Sequence, residues 1–244
     1  MKTYGLIGYP LSHSFSKGFF TKKFEAENIT GHQYETFPIP AITEFPGLLA
    51  QHPDLCGLNV TIPYKEQVIP YLDELSDAAA RIGAVNCIRF KDGRKKGFNT
   101  DVIGFRNSLQ PLLQPYHNRA LVLGTGGAAK AVMYALQELN IPYTVVSRNA
   151  GDDTIAYSSL NEQMMETHTV IINTTPLGMY PNIHECPDIP YQYISSHHLL
   201  YDLVYNPPET MFLQKGLAQG AVTKNGHEML ILQAEASWDI WNEQ

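Results

Sequence analysis

The strongest evidence for the fold class of this chain is a segment near its middle, Ala120-Leu121-Val122-Leu123-Gly124-Thr125-Gly126-Gly127-Ala128-Ala129-Lys130. Its apolar start predicts a buried strand, the glycines predict a turn, and the residues that follow predict a helix. Gly124, Gly126 and Ala129 fit the G-x-G-x-x-G/A pattern of dinucleotide-binding units in this strand–turn–helix context. Gly126 would let a pyrophosphate approach the backbone, and the helix N-terminus would offer it free N–H groups. A glycine-rich connector without a ligand is the alternative interpretation.

The end of the next predicted strand, Tyr143–Val146, bears on the choice of cofactor. An NAD-binding unit usually places Asp or Glu there, about 20 residues past the glycines, to accept from the ribose 2′-hydroxyl. Here the strand is followed by Ser147-Arg148-Asn149. A guanidinium suits the 2′-phosphate of NADP, which a carboxylate would repel, so this segment predicts NADP. Asp152 and Asp153 lie close by and weaken the preference, and a surface arginine on a loop is the alternative interpretation.

Strand-like and helix-like segments alternate along the whole chain, which predicts an α/β fold with largely parallel sheets. A composition shift near residue 115 separates a smaller sheet domain from the nucleotide-binding unit. We predict an N-terminal α/β substrate-binding and catalytic domain with a mostly parallel sheet, formed by residues 1–103 and 227–244. Residues 104–226 would form a Rossmann-like NADP-binding domain, with a ligand cleft between the two. The one dense basic cluster, Arg94-Lys95-Lys96, predicts a solvated turn.

Composition excludes several classes of function. The 244 residues carry 17 Lys and Arg against 24 Asp and Glu, a formal net charge of −7, so the chain has no electrostatic footprint for nucleic acid. No apolar run approaches the ~18 residues of a membrane span, and Met1–Gly8 predicts a first strand rather than a signal peptide. We therefore expect a cytoplasmic protein that does not bind a membrane. Three cysteines without Cys-x-x-Cys spacing and nine scattered histidines predict neither a disulfide framework nor a metal site.

Polar residues gather where the strands of the first domain are predicted to end. Serines alternate with other residues from Ser12 to Ser16 ahead of a helix, a turn that suits a small carboxylate. A plain N-cap serine is the alternative interpretation. After the third strand, Asn59 and Thr61 share one face by the period of two, and Lys65 follows a proline-bounded turn.

Two later segments add an amide, Asn86, and a carboxylate, Asp101. A lone lysine is usually a solvated surface group, whereas a lysine that shares a cleft with an aspartate is a candidate for proton transfer to and from an alcohol. Together with a nicotinamide-type cradle, these residues predict an oxidoreductase that acts on a small polyhydroxylated acid.

These segments resemble the shikimate dehydrogenase family over nearly the full chain. The matching motifs, besides those around Ser14 and Gly124, are Asn59–Lys65, Gly83–Asn86, Asn99–Gly104, Asn173–Met179, Tyr201–Pro207 and Gly226 through Gln233-Ala234. The resemblance implies an NADP-dependent oxidoreductase of a CH–OH group. Its reaction would be the reversible interconversion of 3-dehydroshikimate and shikimate in chorismate and aromatic amino-acid biosynthesis.

The resemblance also implies a role for each site residue. Lys65 is the catalytic proton-transfer residue, paired with Asp101. The substrate-binding residues are Ser14 and Ser16 for the carboxylate, Asn59, Thr61, Asn86, Asp101 and Gln233 for the ring hydroxyls, and Tyr205 in the pocket wall. The cofactor-binding residues are Gly124, Thr125, Gly126, Gly127, Ala128, Ser147, Arg148, Asn149 and, near the nicotinamide, Thr174, Leu203, Gly226 and Met229. Asp77 matches a further cofactor-facing position, and a solvated helix acid is its alternative interpretation.

The chain departs from the family pattern in two places. After Ser16 the family usually has Pro and then His-Asn, where this chain has Lys17-Gly18-Phe19-Phe20, which bears on helix packing and domain closure more than on chemistry. The family's Asn-Arg-Thr loop is Ser147-Arg148-Asn149 here, with no second basic residue following. A paralogue that uses quinate or NAD and a non-catalytic ligand-binding relative stay open at this point, and so does a homodimer.

Overall fold

Strands and helices alternate along the chain in the computed structural model, which describes residues 1–11 and 14–243. Two residues of the predicted carboxylate turn, Ser12 and His13, lie outside the described residues, as does Gln244. The chain packs as two units, Met1–Thr100 with the segment from Gln233 onward, and Asp101–Leu232. Each unit holds one six-stranded sheet, so the predicted α/β fold is confirmed. The domain boundaries proposed at 103/104 and 226/227 stay a prediction.

The first unit is built on a sheet in which parallel pairs outnumber antiparallel ones. Its strands are β1 (Lys2–Gly8), β2 (His32–Pro38), β3 (Leu55–Val60), β4 (Glu74–Leu75), β5 (Cys87–Lys91) and β6 (Arg94–Phe98). In the order β2-β1-β3-β5-β6-β4, only β5 runs antiparallel to its neighbours. The helices that begin in this unit are α1 (Phe15–Ala26), α2 (Phe45–Gln51), α3 (Tyr64–Gln67), α4 (Asp77–Ile82) and α5 (Thr100–Leu109).

The basic cluster Arg94-Lys95-Lys96 is part of strand β6, so its prediction as a solvated turn was wrong. The turn is formed instead by Asp92 and Gly93, with φ values of 52° and 73°. Two such positive φ values match the tight hairpin turn that Asp-Gly favours. The three basic side chains form ion pairs with acids next to and within β4, namely Arg94 with Glu74, Lys95 with Asp73 and Lys96 with Glu74.

The second unit is a wholly parallel sheet among the described residues. Its strands are β7 (Ala120–Leu123), β8 (Tyr143–Ser147), β9 (Thr154–Ala156), β10 (Val170–Asn173), β11 (Leu199–Asp202) and β12 (Val222–Lys224). Its helices are α6 (Gly127–Glu138), α7 (Glu162–Thr167) and α8 (Met211–Ala218). Strands β7, β10 and β11 are buried throughout, as expected of a parallel sheet covered on both faces.

The strand order in this sheet is β12-β11-β10-β7-β8-β9. After β7 the chain adds β8 and β9 on one side of β7, and then adds β10, β11 and β12 on its other side, so the direction in which strands are added changes at β7. In open α/β sheets the ligand binds at the carboxyl ends of the strands at such a switch point. The residues that follow β7, β8 and β10 are therefore the ones placed to hold a dinucleotide.

The last helix, α9 (His227–Asn242), begins in the second unit and ends in the first. In the first unit its Trp241 packs against Tyr4 of β1, with ring centroids 5.0 Å apart. The indole N–H donates to the Ile88 carbonyl at 3.0 Å, which joins the end of the helix to β5. In the described chain no helix is both long and apolar enough to cross a membrane.

Candidate active site

The turn after β7 has the backbone geometry that the glycine pattern predicts. Gly124 has φ +107°, and a Cβ there would lie 2.9 Å from Thr174 Oγ1, so glycine is required on both counts. Gly126 is the N-cap of α6, and a Cβ at Gly126 or Gly127 would meet nothing within 4 Å. Ala129 is fully buried in the first turn of α6. The first N–H groups of α6 are therefore open to an anionic group such as a pyrophosphate.

A cavity of about 500 Å³ opens beside this turn. Seven predicted cofactor residues line it, namely Gly124, Thr125, Gly126, Ser147, Arg148, Asn149 and Thr174. Gly127 and Ala128 form the first turn of α6 and are not part of the lining. Four lining residues were assigned no role from the sequence, namely Tyr157, Thr175, Pro176 and Leu177, although the last three belong to the matching motif Asn173–Met179. The lining fits a phosphate-bearing dinucleotide, because glycine turn, hydroxyls and guanidinium meet in one cavity.

Arg148 is exposed and makes no ion pair with any carboxylate of residues 1–11 or 14–243. Asp152 and Asp153, which follow in the same loop, are therefore not ion-paired with its guanidinium. The neighbouring Ser147 hydroxyl donates to the Asn149 carbonyl and so holds the loop back on the end of β8. The guanidinium stays available to a phosphate.

Asp202, the last residue of β11, does not line this cavity but holds a segment that does, although no sequence pattern assigned it a role. It is fully buried, and its carboxylate accepts from Asn173 Nδ2 at 2.9 Å, Val204 N at 3.0 Å and Thr210 Oγ1 at 2.5 Å. Asn173 Oδ1 in turn accepts from the Thr175 N–H at 3.0 Å and the Thr175 hydroxyl at 2.6 Å. One carboxylate thus fixes the segment after β10 that lines the cavity, the segment after β11, and the N-cap of α8.

Burial raises the pKa of the Asp202 carboxyl to about 6 from 3.8, and its three donors offset this only in part. A raised folded-state pKa means that the native protein holds the proton more tightly than the unfolded chain. The stabilisation is complete below pH ~4 and is lost as pH rises through ~6, with a total of about 3 kcal/mol. We therefore expect the wild type to lose stability relative to Asp202→Asn as pH rises from 4 to 7. The unfolding free energy of the wild type minus that of the variant should fall over this range. Parallel urea titrations of both proteins measure it, and a pH-independent difference would contradict it.

Three residues predicted near the nicotinamide lie outside the cavity lining. The Leu203 N–H donates to the Asn173 carbonyl at 3.0 Å. A Cβ on Gly226 would lie 2.1 Å from the Leu203 carbonyl oxygen, so only glycine permits this contact of the two segments. Met229 follows in the first turn of α9, and Tyr205 is exposed after β11.

In the first unit the two predicted carboxylate serines lie at the start of α1. Ser14 is the N-cap of α1 and accepts a hydrogen bond from the Lys17 N–H at 3.3 Å, which agrees with the alternative interpretation of a plain N-cap serine. Ser16 interacts with the hydroxyl of buried Tyr34, which donates to Asn59 Oδ1 at 2.8 Å. Burial holds the pKa of Tyr34 well above its usual value, so Tyr34 remains a donor.

Asn59 and Asn86 form the centre of a buried polar network. The Asn59 amide group donates to the Asn86 carbonyl at 3.2 Å and to Ser237 Oγ of α9 at 2.9 Å. Asn86 Oδ1 accepts from the Thr100 N–H at 2.7 Å, and the Thr100 hydroxyl lies 3.5 Å from Gln233 Oε1. In the part of the chain that the structure describes, the Nδ2 group of Asn86 has no hydrogen-bond partner, so it can donate to a ligand.

Lys65 is half-buried on the short helix α3. Its carbonyl accepts from the Val85 N–H at 2.7 Å, and the adjacent Tyr64 hydroxyl donates to the Ile39 carbonyl at 2.6 Å. Thr61 is held at the end of β3 by its N–H, which donates to the Ile7 carbonyl at 3.0 Å. These bonds fix the backbone on both sides of the turn that carries the lysine.

The two predicted acids occupy helix N-termini. Asp77 is exposed in the first turn of α4, behind the N-cap Ser76. Asp101 is in the first turn of α5 and directly follows Thr100, the first residue of that helix. The hydrogen bond from the Thr100 N–H to Asn86 therefore anchors the start of α5. A first-turn acid is favoured by the helix dipole in both cases.

Comparison with known proteins identifies the family. Residues 6–88 match the family described as the shikimate dehydrogenase substrate binding domain. A shikimate dehydrogenase (NADP(+)) of Clostridium beijerinckii is 39% identical, and the match covers 100% of this chain and 93% of the relative. The crystal structure of a chorismate mutase/shikimate 5-dehydrogenase fusion protein from Clostridium acetobutylicum is 37% identical with a TM-score of 0.87, over 99% of this chain and 91% of that one.

The shikimate 5-dehydrogenase of Thermus thermophilus, whose crystal structure contains NADP(H) and shikimate, is also similar. It is 30% identical with a TM-score of 0.87, over 99% of this chain and 94% of that chain. Identities of this size over almost the whole of both chains, together with the dinucleotide cavity and the Lys65 turn, lead to one conclusion: the chain belongs to the shikimate dehydrogenase family.

Proposed function

We propose that this protein is an NADP-dependent shikimate dehydrogenase that reduces 3-dehydroshikimate to shikimate reversibly, in aromatic amino-acid biosynthesis. Family membership supports the reaction. The dinucleotide cavity supports NADP, because Arg148 lines it and forms no ion pair within the described part of the chain. The observation that carries the proposal is the hydrogen-bonded frame that fixes Lys65 and the start of α5 from one segment, Val85-Asn86.

This frame has two bonds of 2.7 Å, from the Val85 N–H to the Lys65 carbonyl and from the Thr100 N–H to Asn86 Oδ1. Asp101 is covalently next to Thr100. The backbone of the first unit is thus held at Lys65 and at Thr100, the residue before Asp101, before a substrate binds. Such preorganisation contributes to rate because less orientational entropy is lost at the transition state.

Lys65 and Asp101 would carry the proton traffic of the reaction. NADPH, when bound, supplies the hydride that reduces the C3 carbonyl of the substrate. Lys65 would give a proton to the oxygen of the developing alkoxide and, while charged, would stabilise its negative charge. In the reverse reaction, Asp101 would accept a hydrogen bond from the substrate hydroxyl that is oxidised and would orient that hydroxyl.

The other proposed substrate contacts come from the ends of strands and helices. Ser14 and Ser16 at the start of α1 would receive the substrate carboxylate. Thr61 and the free Nδ2 group of Asn86 would bind ring hydroxyls. Asn59 already uses both amide hydrogens within the protein and retains one acceptor position on Oδ1, so its contribution would be limited to accepting. Gln233 and Tyr205 complete the proposed set.

The cofactor would be held by the glycine turn Gly124–Ala128 and by Ser147, Arg148 and Asn149 at the adenosine end. Thr174, Leu203, Gly226 and Met229 are proposed at the nicotinamide end, and Asp77 as a further cofactor-facing residue. We also propose a cytoplasmic location, because Cys56, Cys87 and Cys186 are free thiols, as is usual in a reducing compartment.

The proposed reaction is tested by incubating the purified protein with shikimate and NADP⁺ at alkaline pH and following absorbance at the reduced-nicotinamide band. We expect absorbance to rise with this pair, and to rise much less when quinate replaces shikimate or NAD⁺ replaces NADP⁺. A rise only with quinate or only with NAD⁺ would assign the protein to another specificity within the family. Folded protein that binds shikimate but shows no rise with any pair would contradict an enzymatic function.

A further inference from the structure

Tyr157 occupies a place in the cofactor cavity that depends on an unusually short connection. Parallel strands are normally joined by a crossover of a dozen or more residues, whereas only residues 148–153 connect β8 to β9. These two strands pair in parallel with Ser147 opposite Ala156. Tyr157, the next residue, is therefore carried to the strand end from which Arg148 also emerges, and both side chains line the same cavity.

The tyrosine ring is fixed, while its hydroxyl is unused. Tyr157 is half-buried and packs with Ile155 and Leu160 against the core of the second unit. No group of residues 1–11 or 14–243 forms a hydrogen bond with its hydroxyl. Burial raises the pKa of Tyr157, so the hydroxyl keeps its proton and remains a donor.

A donor of this kind suits the charge of the cavity. Arg148 is the one charged side chain among the described residues that line it. A phosphate monoester has three acceptor oxygens and nearly two negative charges at neutral pH, which is more than one guanidinium fork satisfies. A neighbouring phenol O–H can donate to the remaining oxygen, and donation to a charged acceptor makes a strong hydrogen bond.

We propose that Tyr157 is a specificity-determining residue, whose hydroxyl donates to the adenosine 2′-phosphate of NADP beside Arg148. The contact would supply a further donor to the phosphate at a place where no second basic residue follows Ser147-Arg148-Asn149. This proposal rests on the NADP dependence of the proposed function and is independent of proton transfer by Lys65.

The test compares two ligands that differ by the 2′-phosphate alone. Binding of adenosine 2′,5′-bisphosphate and of 5′-AMP is measured by calorimetry on the full-length wild type and on Tyr157→Phe, without substrate. We expect the variant to lose about tenfold in affinity for the bisphosphate, as expected for a hydrogen bond to a charged group, and less than about twofold for 5′-AMP. The matched control is Tyr143→Phe at the opposite end of β8, whose hydroxyl accepts from Gln137 at 3.0 Å outside the cavity; it should change neither affinity.

Two results would overturn the proposal. Unchanged affinity of Tyr157→Phe for the bisphosphate would show that the hydroxyl does not contact the phosphate. An equal loss for both ligands would assign the tyrosine to the shape of the cavity rather than to specificity. If Tyr157→Phe does not fold, Tyr157→Met also removes the hydroxyl and repacks more easily, and the same two ligands decide. Because no shikimate is used, failure of the proposed reaction would leave this result unaffected.

Discussion

Replacement of Lys65 by alanine is expected to lower kcat for shikimate oxidation by about 10²- to 10⁴-fold, the usual contribution of a positioned acid or base. The side chain is half-buried, and its backbone is tied to Val85 by a hydrogen bond of 2.7 Å that the substitution does not touch. The fold of α3 should therefore persist, and shikimate should still bind through the serines of α1 and the amides of β3 and Asn86. The loss should appear in kcat rather than in the dissociation constant.

Steady-state reduction of NADP⁺ and calorimetric binding of shikimate measure the two quantities separately. Gln67→Ala is the matched control, because Gln67 is exposed on the same short helix. Among the residues that the structure describes, its side chain makes a single hydrogen bond, of 3.3 Å to the Pro63 carbonyl. Its kcat should stay close to that of wild type, because the side chain is exposed and is not part of the proposed site. A Lys65→Ala enzyme with near-wild-type kcat would remove Lys65 from the proton-transfer role.

Replacement of Trp241 by alanine is expected to cost about 3–5 kcal/mol of unfolding free energy, as for other buried Trp to Ala changes. The indole is 7% exposed, and its ring centroid lies 5.0 Å from that of Tyr4 and 5.4 Å from that of Phe20. A Cβ on Gly57 would lie 2.4 Å from the indole, so the ring fits directly on the backbone of β3. The variant would lose these contacts and leave the Ile88 carbonyl without its indole donor.

Urea unfolding followed by far-ultraviolet circular dichroism measures this loss. Trp238→Ala, in the same helix, is the control, since Trp238 is only partly buried and its indole N–H forms no hydrogen bond with residues 1–11 or 14–243. Its ring packs at the edge of the same cluster, with its centroid 5.3 Å from that of Tyr4. Its loss should be clearly smaller than that of Trp241→Ala. A Trp241→Ala protein as stable as Trp238→Ala would contradict the view that Trp241 attaches α9 to the first sheet.

Elements with strong local signals could be predicted from the sequence, and short ones could not. The apolar strand Ala120–Leu123 and helix α6 follow from hydrophobic pattern and glycine chemistry alone, and the structure confirms both. Strand β9 has three residues and β4 has two, which is too few for any periodicity to be visible. Strand β6 was missed for another reason. Its charges suggested a turn, whereas pairing with acids next to β4 and with β5 makes a charged strand stable.

The candidate site divides in the same way. The glycine turn and the segment Ser147-Arg148-Asn149 were predicted from the sequence, and they line one cavity. The roles of Lys65 and Asp101 rest on motif position and remain proposals. Tyr157 lies in no matching motif, and Asp202 lies within the motif Tyr201–Pro207 but was assigned no role. A single tyrosine or aspartate next to a strand is common, and its chemistry depends on what lies beside it.

The α/β class, the dinucleotide-binding unit and the family are all readable from the sequence, because they depend on patterns of neighbouring residues. Which side chains share a surface depends on how distant segments pack in three dimensions. Parallel pairing sets Ser147 opposite Ala156, and so brings Tyr157 to Arg148. It also sets Asn173 opposite Asp202, and so brings a buried carboxylate to the strand end that precedes the cavity segment Thr174–Leu177. The register of a parallel sheet is fixed by hydrogen bonds and burial between segments distant in sequence, and a local pattern does not contain that information.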